Sequence, residues 1–98
     1  MKSFSDIHSV LQEHMGLLKK DFHVERIGVF GSSVRGEQAE KSDIDILVEF
    51  SRPVGFFHFM QLETYLGRIL GAKIDLVSRK ALKPYIGRRI LKEIQYVN

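Results

Sequence analysis

The run DIDILVEF, Asp43 to Phe50, constrains this chain more than any other stretch. Its β-branched and aromatic residues, closed by Ser51, Arg52 and Pro53, predict a strand. Residues two apart in a strand share a face, so Ile44, Ile46, Val48 and Phe50 form one apolar, core-facing side. Asp43 and Asp45 project together from the other, with Cα atoms ~6.6 Å apart. Leu47 follows them on that side, which implies that the second face is covered further along and open only where the strand begins. The two acids therefore belong at the mouth of a fold, not in its interior.

The flanking segments alternate in period. From about Ser5 to Lys20, the residues Ile7, Val10, Leu11, Met15 and Leu18 recur at helical spacing, and Ser3 with Asp6 has the capping-box pattern. HVERIGVFG, His23 to Gly31, predicts a strand with Ile27 and Val29 on one side and a turn from Gly31 to Ser33. SSVRGE allows a short helix stopped at Gly36, and the polar loop EQAEKS follows. Gly55 to Gly71 predicts a helix with Phe59, Leu62, Leu66, Ile69 and Leu70 in one stripe and Gly71 at its C-cap. AKIDLVS, Ala72 to Ser78, predicts a third strand, and Leu82 to Val97 a last helix with Pro84 in its first turn and Ile86, Ile90, Ile94 and Val97 along one face. The order αβαβαβα, about four helices around a small three-stranded mixed sheet, is an α/β fold in a single domain spanning residues 1–98.

Bulk properties remove whole classes of function. Ninety-eight residues suffice for one core, and the absence of cysteine excludes a disulfide framework, a thiolate metal site and a cysteine nucleophile. MKSFSDIHSV lacks the apolar region of a signal peptide and no stretch reaches bilayer-spanning length, so the chain is read as cytoplasmic with no membrane partner. Its net charge of +3 is concentrated in Arg79, Lys80, Lys83, Arg88, Arg89 and Lys92, a run without acids. That run reads as the solvated face of the last helix, and nucleic acid is not expected as a partner. His8, His14, His23 and His58 have no ligand spacing and carry no assigned role.

Asp43 and Asp45 need a counter-charge. Two carboxylates about 5 Å apart repel by ~3 kcal/mol at an effective dielectric of about 20. A side chain, Arg35 or Lys73, is one source of that charge. A hard ion is the other, since Mg²⁺ favours one or two carboxylates plus phosphate oxygens. Asp75 adds a third acid: Ile74 and Leu76 share one face of the third strand, and Asp75 lies on the other with Lys73 and Val77. Pairing with Lys73 on an edge strand accounts for Asp75 taken alone. If the third strand lies beside the second, three carboxylates converge, enough to hold two metal ions ~3.5–4 Å apart.

GSSVRG, placed after a strand and before a helical turn, presents backbone N–H groups and the Ser32 and Ser33 hydroxyls to an anion, or serves as a plain turn with a serine cap. It is not a P-loop, because Glu37 and Gln38 stand where Lys and Ser or Thr are required. Nor is DIDILVEF a calcium loop.

Taken together, Gly31 and Ser32, ten intervening residues, then Asp43, Ile44 and Asp45, with an acid in the next strand, resemble the signature of the DNA polymerase β-like nucleotidyltransferase superfamily. The chain is similar to its minimal nucleotidyltransferase branch over nearly the whole length. The resemblance implies the polymerase β-like nucleotidyltransferase fold. It implies that Gly31 and Ser32 hold a nucleoside triphosphate, with Ser33 as a further nucleotide contact and Arg35 as a contact to the phosphate or a residue that packs the loop. Asp43, Asp45 and Asp75 become the catalytic, metal-binding acids, Asp75 completing the site for two Mg²⁺ ions or helping to deprotonate the acceptor. The implied reaction transfers AMP from ATP to a hydroxyl of a partner protein, a HEPN-domain ribonuclease toxin for which the chain is the antitoxin. Larger relatives carry an added acceptor-binding domain, so the acceptor is expected on the partner. The alternative is an antitoxin that neutralises such a toxin by binding alone, with Phe56, Phe57, Phe59, Tyr65 and the basic last helix as candidate interface.

Overall fold

The computed structural model describes residues 3–35 and 43–97. Helix α1 (Phe4–Asp21) begins at the expected capping box, where the Asp6 N–H donates to Ser3 Oγ at 3.1 Å and the Ser3 N–H donates to Asp6 Oδ2 at 3.3 Å. His23, at φ 58°, turns the chain into β1 (Val24–Phe30). A one-turn helix α2 (Ser32–Arg35) follows, then β2 (Ile44–Phe50), helix α3 (Phe56–Leu70) and β3 (Ile74–Ser78). Gly71 ends α3 in the left-handed conformation, as its position after the apolar stripe predicts. The stop at Gly36 and the loop through Ser42 lie outside the described residues.

The sheet order is β3-β2-β1-β4, with β2 parallel to β3 and antiparallel to β1. The α/β architecture is as expected, but among the described residues the sheet has four strands where the sequence predicts three. The last helix, α4 (Pro84–Glu93), ends four residues short of Val97. Ile94 turns extended, and β4 (Gln95–Val97) pairs antiparallel with Ile27–Val29 of β1. The physical reason is the exposed edge of β1: pairing satisfies its backbone groups and buries Val97 opposite Ile27, which a further helical turn would forgo.

Helices α1 and α3 cover one face of the sheet. Ile7, Leu11, Met15 and Leu18 meet Leu62, Leu66 and Leu70 over Ile27, Val29, Ile44, Ile46, Val48, Ile74 and Leu76. The opposite face carries Asp45, Leu47 and Asp75, and Leu47 is fully buried there. Ile94, just past α4, packs against Gly28, where a Cβ would collide with the isoleucine side chain. The second face is thus covered over Gly28 and Leu47 and open where β2 and β3 begin.

Candidate active site

Strand pairing builds the acid cluster. The Ile44 N–H donates to the Lys73 carbonyl at 2.9 Å, which pins the start of β2 to the start of β3. In the register that follows, Asp45 stands beside Asp75, and both lie on the face opposite the core. Asp43, one residue before β2, adds its charge to theirs. The structure therefore brings the three predicted acids to one end of two adjacent strands.

Asp45 is half-buried and its carboxyl is pushed up to about 6. Burial is the largest cause; the charge of Asp75, a hydrogen bond shared with Asp75 and the charge of Asp43 follow, while Arg35 opposes them. Among the described residues Arg26 pairs with Glu49 and Arg35 with Glu93, so the charge of Arg35 that acts on Asp45 is shared with another acid. Lys73, the other side-chain source of counter-charge, is exposed and forms no ion pair with Asp75.

The expected consequence for stability follows from the direction of that shift. Asp45 holds its proton in the folded chain at pH values where the unfolded chain has lost it. Stability is therefore highest below pH ~4 with respect to this group and falls as the pH rises through about 6. Solvent screening at a half-open site limits the loss to about 1 kcal/mol. Carboxyl ¹³C titration and melting curves in chelator between pH 4 and 8, read beside Asp45→Asn, check both the midpoint and the sign.

The strand β1 delivers Gly31 next to Asp45, since Phe30 is the register partner of Asp45. Gly31 sits at φ +77°, and a Cβ there would run into the Asp45 carboxylate. Two independent constraints thus require glycine. Its carbonyl accepts the Val34 and Arg35 N–H groups at 3.1 and 3.2 Å, closing the turn of α2. Ser32 is half-buried, whereas Ser33 is buried and its hydroxyl has no partner among the described residues.

Sequence reasoning missed Glu93. Its Oε1 accepts the Gly31 N–H at 3.2 Å, and its carboxylate accepts Arg35 Nη1 at 3.2 and 2.8 Å. The one available signal is electrostatic: an acid at a helix C-terminus faces the negative pole of the helix and calls for a cation elsewhere. Between this turn and α4 lies a cavity of about 300 Å³ lined by Phe30, Gly31, Arg35, Ile86, Arg89, Ile90 and Glu93. His23 and His58 stack on one another beyond the other end of β2, away from the acids.

Among the described residues no three acidic or histidine side chains already enclose an ion. The donor set nevertheless suits one: Asp45 and Asp75 are adjacent hard-oxygen groups, and a magnesium ion takes one or two carboxylates and completes its shell with water and phosphate oxygens.

Comparison with known proteins places these features. The family model described as nucleotidyltransferase domain matches residues 11–97. A Methanocaldococcus jannaschii protein with a provisional protein adenylyltransferase name is 47% identical over 98 residues, covering 99% of this chain and all of its own. The protein adenylyltransferase MntA of Thermococcus cleftensis is 44% identical over 97 residues, 99% of this chain and 98% of that one. A solved structure provisionally titled a minimal nucleotidyltransferase superposes with a TM-score of 0.77 at 31% identity, covering 96% of this chain and 98% of the other. The MNT antitoxin in complex with the tri-AMPylated HEPN toxin of Shewanella oneidensis shares the fold at 19% identity and a TM-score of 0.65, over 91% of this chain and 70% of that one.

Proposed function

Since the chain belongs to the nucleotidyltransferase domain family, we propose that it transfers AMP from ATP to a hydroxyl of a partner protein, as the antitoxin of a HEPN toxin pair. The observation that carries this reading is the register pairing of Asp45 with Asp75 beside the Gly31 turn. The names of the relatives support the protein acceptor, and the toxin complex among the structural neighbours supports the class of partner.

In this reading Ser32 and the α2 turn hold the triphosphate, and Arg35 acts through the turn more than on the phosphate, given its bond to Glu93. The buried Ser33 hydroxyl packs the turn. The acceptor oxygen forms a bond to the α-phosphorus as the bond to pyrophosphate breaks. The acceptor proton passes to Asp75, the acid that stands beside Asp45 in the strand register. Asp43, Asp45 and Asp75 would hold Mg²⁺, which when bound neutralises the triphosphate and charge on the leaving group.

Incubation of the chain with labelled ATP, Mg²⁺ and a HEPN-domain partner is expected to label the partner, and the double variant Asp43→Asn, Asp45→Asn to abolish the label. Label that persists in the double variant rejects the assignment. Rescue of growth from the toxin by the double variant, with no transfer by wild type, identifies instead an antitoxin that works by binding.

A further inference from the structure

We propose that Glu93 is a positioning residue that fixes the Gly31 turn for the nucleotide, a role that rests on the transferase reading for its purpose but not for its geometry. One carboxylate grips the turn at both ends: Oε1 accepts the Gly31 N–H at 3.2 Å, and Arg35 Nη1 reaches the two oxygens at 3.2 and 2.8 Å. Ser32 lies between those two anchor points.

Glu93 is itself held relative to the strand that feeds the turn. The Ile94 N–H donates to the Ile90 carbonyl at 2.9 Å, ending α4, and Gln95–Val97 pairs at once with Ile27–Val29. Ile94 also packs on Gly28. The carboxylate is therefore anchored to β1 on one side and to the turn on the other. The Gly31 N–H is engaged by Glu93 and the Val34 and Arg35 N–H groups by the Gly31 carbonyl, which leaves the half-buried Ser32 to face a ligand. Without Glu93, a buried Gly31 N–H loses its acceptor and Arg35 loses its ion pair with that carboxylate.

The sign of the effect separates positioning from charge. A carboxylate beside a triphosphate repels it, so a pure charge effect makes removal of Glu93 tighten binding. Positioning makes removal weaken it. Glu93→Met keeps the length and helix propensity of the side chain but supplies no acceptor, and it is expected to weaken AMP-PNP binding in Mg²⁺ by about tenfold. Glu93→Gln keeps an acceptor for the Gly31 N–H and is expected to stay within about threefold of wild type. Amide hydrogen exchange supplies a readout independent of nucleotide: Gly31 is expected to lose protection in Glu93→Met and retain it in Glu93→Gln, while Ile27–Val29 stay protected in both.

Equal or tighter AMP-PNP binding by Glu93→Met, or an unchanged Gly31 exchange rate, overturns the proposal. Should Glu93→Met not fold, Glu93→Gln decides: retained Gly31 protection with near-normal affinity upholds it, and clearly tighter binding overturns it. A wild-type chain that binds no AMP-PNP sinks the transferase reading, and the Gly31 exchange rates then decide the turn-holding role alone.

Discussion

Asp75→Asn is expected to abolish AMP transfer, by at least about a thousandfold, and at the same time to raise the melting temperature of the metal-free chain by about 4 °C. The two effects have one origin. Asp45 and Asp75 stand side by side in a parallel register, and burial and like charge together push Asp45 up to about 6. An asparagine at position 75 removes one charge and offers its amide N–H to the Asp45 carboxylate, so the fold gains what the site loses. The same substitution should bring the Asp45 titration down toward the ordinary carboxylate range. Transfer assays, calorimetry in chelator and ¹³C titration on the one variant check all three. A retained rate removes Asp75 from the site, and a lowered melting temperature shows that the pair is not repulsive in the absence of metal.

Gly31→Ala carries the other large effect. Its backbone, at φ +77°, costs an L-residue about 1–2 kcal/mol, and the added methyl drives against the Asp45 carboxylate. The expected sum is a destabilisation of about 2–4 kcal/mol, with loss of nucleotide binding because the turn and the acid can no longer occupy their places together. Gly16 is the matched control. It lies exposed within α1, with open space where a Cβ would be, so Gly16→Ala is expected to stabilise by about 0.5–1 kcal/mol and leave transfer unchanged. Denaturant unfolding of both variants, with the transfer assay beside it, measures the contrast. Equal stability for the two alanine variants rejects the account of Gly31.

How much of this was legible in the sequence depended on whether the relevant contacts were local. The capping box of Ser3 and Asp6, the stripe of α3 with Gly71 after it, and the apolar face of Ile44, Ile46 and Val48 are all set by neighbours a few residues apart. The meeting of Asp45 with Asp75 was legible only as a condition, because strand order belongs to the sheet and not to either segment. Ile94 to Val97 fits a helical stripe as well as a strand, and the free edge of β1 decides between them. Glu93 was hidden for a related reason: a lone acid ending a basic helix reads as one more solvated charge until the turn it grips is brought against it.

The position of β3 at the rim of the sheet has a consequence for how the molecule comes together. Its ladder with β2 joins segments divided by all of α3, a long closure that forms late compared with hairpins and helices. Asp45 and Asp75 meet only when that ladder closes, so their mutual repulsion opposes its closure. A bound cation bridging the two strands would act as a clasp, tying maturation of the fold to arrival of the ion that the reaction needs.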